Sequence, residues 1–242
     1  MDLKGKTVLI TGGAVRVGRA MAKAIATAGG SLIVHYSGSE DEAISLKSEL
    51  TTLGVEVHLL QADFSKPEQA SDLIEQGLTF GPLFALVNSA AIFQKLDLET
   101  SNLQNWQLHL DINLTAPFLL SQAFWKAARQ TGAEGRIVNI LDWRALRPGA
   151  DHLPYTISKA ALAALTQSLA IAMAPKVTVN GLAFGAILPP TDGGKTEGIL
   201  KQVPAGRWAE LDEVGQTLLF LLTGPQYISG EIIYLDGGRH LV

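Results

Sequence analysis

The sequence predicts a doubly wound α/β domain, in which helices cover both faces of a parallel sheet. Short β-branched apolar runs alternate with segments of helical length along the whole chain. The runs are continuously apolar rather than alternating, which is typical of strands buried on both faces. Of 242 residues, 47% are apolar and only 17% charged, so the chain can form a large core. Because no linker, repeat or charge block interrupts it, we expect a single domain over residues 1–242.

Seven apolar runs bounded by polar or glycine-containing stretches predict seven strands. In chain order they are Thr7–Thr11, Leu32–Tyr36, Val55–Gln61, Leu83–Asn88, Arg136–Leu141, Val177–Asn180 and Ile232–Leu235. The segments between them are Ala-rich or repeat apolar residues with a period of 3.6, which predicts helices. These segments are Val17–Ala28, Asp41–Leu53, Pro67–Leu78, Asn113–Gln130, Tyr155–Ala174 and Leu211–Leu222.

Residues 185–206 form the most irregular segment and are rich in Pro and Gly. They follow the sixth strand, and open α/β sheets bind ligands beyond the carboxyl ends of their strands. We therefore expect a substrate lid here, with an ordinary surface loop as the alternative.

The composition argues against several classes of protein. With 19 basic and 23 acidic residues the net charge is −4, which argues against a nucleic-acid partner. The absence of Cys excludes disulfides and thiolate metal sites, and the scattered histidines predict no metal site. We find no export signal and no apolar run of about 18 residues, so we expect a cytoplasmic protein without a membrane partner.

The first strand leads through the glycine-containing turn Thr11–Ala20 directly into a helix. Glycines permit a tight turn and close backbone approach, and a helix N-terminus binds pyrophosphate. Arg19 and Ala20 stand where a phosphate-transferring loop would carry Lys and Ser or Thr. A second partial match, Gly194-Lys195-Thr196, has Pro189 in place of its first glycine and is treated as coincidence.

Tyr155 and Lys159 are four residues apart near the start of a predicted helix. Side chains at this spacing share a helix face, with Cβ atoms about 5–6 Å apart. A neighbouring ammonium favours the phenolate, so the pair suits proton transfer. An ordinary helix surface is the alternative.

Together these motifs resemble the short-chain dehydrogenase/reductase family over nearly the whole chain. The motifs in order are Thr11–Gly18, Asp63 after the third strand, Asn88-Ser89-Ala90-Ala91 after the fourth, Asn113, and Tyr155 with Lys159. The resemblance implies a Rossmann-type sheet of about seven parallel strands, an NAD(P)H-dependent oxidoreductase, and a dimer or homotetramer. The apolar segments Ala160–Ala174 and Tyr227–Leu235 would suit such an interface.

The resemblance also implies residue roles. Tyr155 would exchange the substrate proton, Lys159 would bind the nicotinamide ribose and lower the pKa of Tyr155, and Asn113 would support a proton-relay water. The residues expected to bind the cofactor are Gly12, Arg16, Val17, Gly18, His35, Tyr36, Ser37, Ser39, Asp63, Phe64, Asn88, Ser89, Ala90, Tyr155, Lys159, Gly185 and Ile187.

Four positions depart from the commonest family pattern. They are Arg16 for a Gly in the turn, Ala91 for a Gly, Asp142 for the usual Ser, and Phe184 for a Pro. Arg16 and Asp142, with the strand ending Val34-His35-Tyr36 and the C-terminal segment Leu235–Leu241, resemble the pteridine reductase and dihydromonapterin reductase branch. The resemblance makes Phe93 a platform that stacks a pterin against the nicotinamide, with a core filler as the alternative.

Asp142 fits a nitrogen-rich substrate. Reduction of a pterin C=N bond requires a proton at a ring nitrogen, which a carboxyl of raised pKa can supply beside a Tyr. We therefore expect Asp142, Tyr155 and Phe93 to contact the substrate. The alternative is an Asp that caps a helix or forms a salt bridge with Arg144 or Arg147.

The second strand ends without the acidic residue that binds the ribose of NAD, which favours NADP(H). Arg16, Ser37 and Ser39 would bind the 2′-phosphate. The sequence thus predicts an NADPH-dependent reductase of a pterin-like substrate, of dihydropterin or dihydrofolate type. The alternatives are an NADP(H)-dependent carbonyl or alcohol oxidoreductase and a non-catalytic NADP(H)-binding sensor.

Overall fold

The sheet at the centre of the molecule has seven strands in the order β3-β2-β1-β4-β5-β6-β7, and all neighbouring strands are parallel. The structure, a computed structural model, describes residues 2–189 and 197–242. The strands are β1 (Thr7–Ile10), β2 (Ser31–Tyr36), β3 (Val57–Gln61), β4 (Leu83–Asn88), β5 (Gly135–Asp142), β6 (Val177–Phe184) and β7 (Ile232–Leu235). The predicted doubly wound fold is confirmed.

Helices connect the strands. They are α1 (Arg16–Thr27), α2 (Glu40–Thr51), α3 (Glu68–Leu78), α4 (Leu103–Leu110), α5 (Ala116–Thr131), α6 (Leu153–Ala172), α7 (Glu197–Leu200) and α8 (Leu211–Thr223). A π-helical turn, Asp111–Thr115, joins α4 to α5, and 3₁₀ turns follow β5 and β7 at Trp143–Ala145 and Arg239–Leu241. No helix among the described residues is both long enough and apolar enough to cross a membrane.

The core lies on both faces of the sheet. Val8 and Ile10 of β1 pack with α1, α2 and α8 on one face, whereas Leu9 packs with α3, α5 and α6 on the other. Successive side chains of a strand point to opposite faces. Since both faces are covered, every position of β1 after the first is buried, which explains the continuous apolar runs.

Several elements differ from the sequence prediction. Strand β6 continues to Phe184 beyond the predicted end at Asn180, through Gly181. That glycine is required by packing, since a Cβ there would lie 2.6 Å from Cδ1 of Leu141. Helix α4 was not predicted. The sequence feature that could have indicated it is the capping box, in which Asn102 and Asn105 exchange side-chain-to-backbone hydrogen bonds.

Other boundaries lie within about two residues of the predicted ones, as expected where helix ends fray. The predicted helix Asn113–Gln130 is divided in the structure, because its first residues belong to the π-helical turn. The helix that carries Tyr155 begins at Leu153 rather than at Tyr155.

A close approach between β5 and α5 gives a test of the packing. A Cβ on Gly135 would lie 2.8 Å from Cε1 of the buried Phe124 ring. We therefore expect Gly135→Ala to lower the free energy of unfolding by about 1–3 kcal/mol through overpacking. In a Phe124→Leu background the same substitution should cost less, because the ring edge is absent. Urea unfolding of both single variants and the double variant measures this coupling, and strict additivity would contradict the packing argument.

Candidate active site

A cleft of about 450 Å³ lies at the carboxyl edge of the sheet and extends from the end of β2 to α6. Its walls combine the turn after β1, the end of β2 and the segments after β3 and β4. The lining residues are Gly12, Ala14–Gly18, His35–Ser39, Asp63, Phe64, Ser89–Ile92, Ile112, Ile140, Tyr155 and Phe184. Most residues predicted to bind the cofactor thus lie in one cleft whose volume suits an organic cofactor.

The turn between β1 and α1 is built on close backbone contact. A Cβ on Gly18 would lie 2.0 Å from the carbonyl oxygen of Gly12, so only glycine fits at this position. Gly12 has φ +62°, in the left-handed region that glycine adopts without strain. No side chain caps the first turn of α1. Its backbone N–H groups are therefore available to a phosphate, and these residues fit a dinucleotide.

Arg16 has φ +50° although it is not glycine. This conformation explains why a glycine is common here, and it costs a non-glycine residue about 1 kcal/mol or more. The guanidinium of Arg16 is exposed at the cleft and donates to the carbonyl of Pro189, 3.3 Å away. The side chain therefore reaches from the turn to the segment that follows β6.

His35 supports the turn from the end of β2. Its Nδ1 accepts a hydrogen bond from the backbone N–H of Gly12 at 3.2 Å, and its Nε2 lies 3.1 Å from the carbonyl of Ala62. Both bonds are made when the neutral ring carries its proton on Nε2. The ring also stacks on Phe64, with centroids 4.3 Å apart. His35 was predicted to bind the cofactor, but both of its nitrogens are used within the protein.

A buried hydroxyl joins the ends of β1 and β4. Oγ1 of Thr11 accepts hydrogen bonds from the backbone N–H groups of Ser89 and Ala90, at 2.9 and 3.0 Å. The amide of Asn88 donates to Oδ1 of Asn139 at 2.8 Å and does not line the cleft. The Asn88 side chain therefore points into the sheet interior, and the cofactor contact expected of Asn88 stays a prediction.

Asp142 and Tyr155 are in direct contact. The hydroxyl of Tyr155 donates to Oδ2 of Asp142 at 3.2 Å, and Oδ1 accepts from the backbone N–H of Arg144 at 2.8 Å. Burial raises the pKa of Asp142 above its usual range. Burial, and secondarily the Asp142 carboxyl, raise the pKa of Tyr155 well above 10. Asp142 thus caps the turn after β5, in agreement with the alternative that it caps a helix, and it also contacts Tyr155.

Lys159 shares the buried face of α6 with Tyr155, as predicted. Its Nζ donates to the carbonyl of Ile140 at 2.7 Å and lies 5.9 Å from the centroid of the Tyr155 ring. Burial lowers the pKa of Lys159 to about 8. Burial raises the pKa of Tyr155, and the expectation that Lys159 lowers that pKa stays a prediction.

Asn113 lies in the π-helical turn, a distortion that is frequent at functional sites. Its Oδ1 accepts from the N–H of Ile92, and its Nδ2 donates to the carbonyl of Ile92 and to Oγ of Ser158, at 2.9–3.0 Å. The side chain therefore ties the segment after β4 to α6. A role in holding a relay water remains a prediction.

Phe93 follows this tied segment, and 57% of its surface is exposed, which excludes a core filler. Its ring stacks on His152, with centroids 4.2 Å apart, and meets Tyr155 edge-on at 4.6 Å. His152 has φ +54° and its Nδ1 lies 3.0 Å from Oδ2 of Asp151. The sequence analysis missed His152, because a lone His carries no motif.

Besides Asn88 and Lys159, two predicted cofactor contacts do not line the cleft. Gly185 allows the end of β6 to approach β7, since a Cβ there would lie 2.6 Å from Cα of Asp236. Ile187 is buried in the core. Cleft residues that the sequence analysis missed, such as Ile112 and Ile140, are apolar and carry no chemical motif. Residues 190–196 of the predicted lid lie outside the described residues.

A glycine turn at an uncapped helix start, an elongated cleft and a buried Tyr–Lys pair define a nicotinamide-dependent oxidoreductase. Residues 13–240 match the family described as enoyl-(acyl carrier protein) reductase. The chain belongs to the short-chain dehydrogenase/reductase family, and its cofactor is NADP(H).

Relatives of this chain carry different descriptions. It is 34% identical over 246 residues to a 2-dehydro-3-deoxy-D-gluconate 5-dehydrogenase of Bacillus subtilis, covering 98% of this chain and 95% of that protein. It is 32% identical to a 3-oxoacyl-[acyl-carrier-protein] reductase of Synechocystis sp., covering 98% and 97%. The crystal structure of FolM alternative dihydrofolate reductase 1 from Brucella canis with NADP has a TM-score of 0.90 and 33% identity, covering 98% and 95%.

Because His35 is buried in its neutral form, we expect the stability of the protein to depend on pH. Burial lowers its pKa from 6.5 to about 4. Between these values the unfolded chain binds a proton that the folded chain does not, so stability falls as the pH drops from 6.5 to 4. Over the whole of this pH range, the free energy of unfolding should fall by about 3 kcal/mol. Urea unfolding should show a smaller decline over this range for His35→Gln than for the wild type. The matched control His58→Gln should retain the wild-type decline, and an unchanged slope in His35→Gln would refute the interpretation.

Proposed function

We propose that this protein uses NADPH to reduce a carbon–nitrogen double bond in a pterin-like ring, of dihydropterin or dihydrofolate type. The observation that carries the proposal is the hydrogen bond of 3.2 Å between the Tyr155 hydroxyl and the Asp142 carboxyl. A reductase of simple carbonyls needs only a neutral donor to oxygen. A carboxyl paired with a phenol adds an acid for a basic ring nitrogen.

The surroundings of Asp142 favour its acid form. Burial raises the pKa of its carboxyl, so a larger fraction carries a proton near neutral pH than for an exposed Asp. The Tyr155 phenol is protonated as well, because its pKa lies well above 10. The pair therefore holds transferable protons in contact with one another at the substrate end of the cleft.

The reaction needs a hydride and a proton. NADPH, when bound, supplies the hydride to the ring carbon and leaves as NADP⁺. Tyr155 or Asp142 delivers the proton to the ring nitrogen, so one C=N bond becomes a CH–NH bond. Lys159 is placed on the same helix face to hold the ribose, and Phe93 offers an exposed aromatic face for the pterin ring.

The Brucella canis protein described as an alternative dihydrofolate reductase supports a pterin substrate for this chain. The second candidate is reduction of a carbonyl or oxidation of an alcohol. It is favoured by the descriptions of the Bacillus subtilis and Synechocystis relatives. Tyr155 could protonate a carbonyl oxygen in the same way, with Asp142 in place of the usual Ser.

We also propose that the protein assembles as a homotetramer. Supporting this, Ile157 and Ile171 of α6 and Tyr227 before β7 are exposed by 38%, 82% and 102%. These residues lie in or beside the apolar segments expected to form an interface, and association would remove their apolar surface from water.

Substrate tests with two variants separate the candidates. The wild type should oxidise NADPH with dihydrobiopterin, dihydromonapterin or dihydrofolate, and Tyr155→Phe should lower kcat about 10²–10⁴-fold. Asp142→Ser should lose pterin turnover and gain relative activity on ketones, because Ser donates to oxygen but is a poor acid. Asp142→Asn, of equal size, controls for packing. Turnover of simple ketones with no pterin activity in the wild type would defeat the pterin proposal.

Arg16 offers a separate test of the cofactor site. We expect Arg16→Ala to raise KM for NADPH about tenfold while leaving KM for NADH nearly unchanged, because only NADPH carries the 2′-phosphate. Arg19→Ala is the matched control, since the Arg19 guanidinium lies on the same helix but pairs with Glu49 at 2.8 Å. Steady-state kinetics with both cofactors measure the ratio. Equal effects on the two cofactors would remove Arg16 from 2′-phosphate binding.

A further inference from the structure

Two guanidinium groups meet on one aromatic ring beside the catalytic pair. Trp143 directly follows Asp142, and its ring centroid lies 4.9 Å from Cζ of Arg144 and 4.3 Å from Cζ of Arg239. Arg144 belongs to the turn after β5, whereas Arg239 belongs to the turn after β7. The ring thus gathers positive charge from two separate strand ends at the edge of the sheet that carries the active site.

Three acidic groups lie near this ring, and each already has hydrogen-bond partners. Asp142 accepts from Tyr155 and from the N–H of Arg144. Oδ2 of Asp151 accepts from Arg144 at 2.9 Å and lies 3.0 Å from Nδ1 of His152. The buried Asp236 accepts from the backbone N–H groups of Gly238 and His240, and its Oδ2 lies 2.8 Å from Nδ1 of His240. These three carboxylates therefore already have partners.

Arg239 is the member of this pair that has no direct carboxylate partner among the described residues. Within the described part of the chain, no carboxylate lies within 4 Å of its guanidinium, and the side chain donates only to the neutral Oε1 of Gln202, at 3.0 Å. Its Nε is buried without a hydrogen-bond partner. Burial and the charge of Arg144 lower the pKa of Arg239, whereas the smaller effects of Asp142, Asp151 and Asp236 raise it. The half-buried Arg239 side chain thus lies beside a like charge, and a direct anionic partner would stabilise it.

This cation lies on the side of the active site that the cofactor leaves open. The cleft begins at Ser37 and Ser39, at the end of β2, and ends near Tyr155. In the sheet order, β6 and β7 lie beyond β5, away from β2. Arg239 lies on the ring of Trp143, the residue that follows Asp142, so its guanidinium is close to the strand end at which we place the substrate ring.

We propose that Arg239 and Arg144, gathered on Trp143, form a subsite for a carboxylate carried by the substrate, distal to its reacting ring. This inference rests on the proposed function, and it narrows the substrate to a pteridine that bears a carboxylate side chain. Arg144 already pairs with Asp151, whereas Arg239 has no carboxylate within 4 Å among the described residues, so a substrate carboxylate would supply its direct partner. The planar guanidinium also binds a carboxylate through two parallel hydrogen bonds.

The test compares two substrates in one variant. Dihydrofolate carries carboxylates, whereas dihydrobiopterin carries none. For Arg239→Gln we expect KM for dihydrofolate to rise about tenfold with little change in kcat, and both parameters for dihydrobiopterin to stay within about twofold. Added NaCl should raise the wild-type KM for dihydrofolate only. Equal effects of the substitution on both substrates, or no effect on either, would overturn the subsite.

Two further variants guard against a merely structural effect. Arg239→Lys keeps the charge but not the planar pair of donors, so it should fall between the wild type and Arg239→Gln. Arg129→Gln is the matched control, because Arg129 also lies over a tryptophan, Trp125, at 5.0 Å, but on the exposed end of α5. Arg129→Gln should leave both substrates unchanged.

A binding measurement separates this inference from the proposed function. Titration of the NADP⁺-saturated protein with 4-aminobenzoylglutamate, which carries carboxylates but no pteridine, should show binding that Arg239→Gln abolishes. If neither pteridine is turned over but this binding is observed, the proposed reaction fails and the subsite stands. If pteridines are turned over but the wild type does not bind the fragment, the reaction stands and the subsite fails.

Discussion

The parallel arrangement of all seven strands is the constraint on which the site depends. It brings every strand's carboxyl end to one edge, so residues far apart in sequence meet there. Gly12 follows β1, His35 ends β2, Ser89 follows β4, and Asp142 ends β5. Hydrogen bonds then join neighbouring ends, such as the partly buried bond of 3.2 Å from the Gly12 N–H to His35. The cofactor turn is therefore held by the strands beside it as well as by its own glycines.

Burial sets the protonation of the groups for which we propose catalytic roles. It raises the pKa values of Asp142 and Tyr155 and lowers that of Lys159 to about 8. Each shift favours the neutral form, as expected where water is excluded. A phenol and a carboxyl that keep their protons suit proton delivery to a substrate, whereas the exposed side chains at the far end of the cleft suit recognition of the cofactor. One cleft thus contains two electrostatic environments.

Much of the fold and the site was predictable because the signals are local. Apolar runs and helical periods predicted the seven strands and most helices, and the spacing of Tyr155 and Lys159 predicted a shared helix face. Features that depend on packing were not predictable. The sixth strand was predicted to end at Asn180, but β6 continues through Gly181, which packs closely against Leu141. The hydrogen bond between the Asn88 amide and Asn139 joins residues on two strands and has no local signal either.

By itself, the sequence determined the doubly wound class, the order of the motifs and the identity of the reactive side chains, because these depend on residue type and spacing along the chain. Only the tertiary structure decided how those side chains behave. It placed Lys159 on the carbonyl of Ile140 and raised the pKa of Tyr155. It also brought Arg239 to Trp143, across nearly a hundred residues. Desolvation and charge proximity are properties of three-dimensional neighbours, which spacing in the chain does not encode.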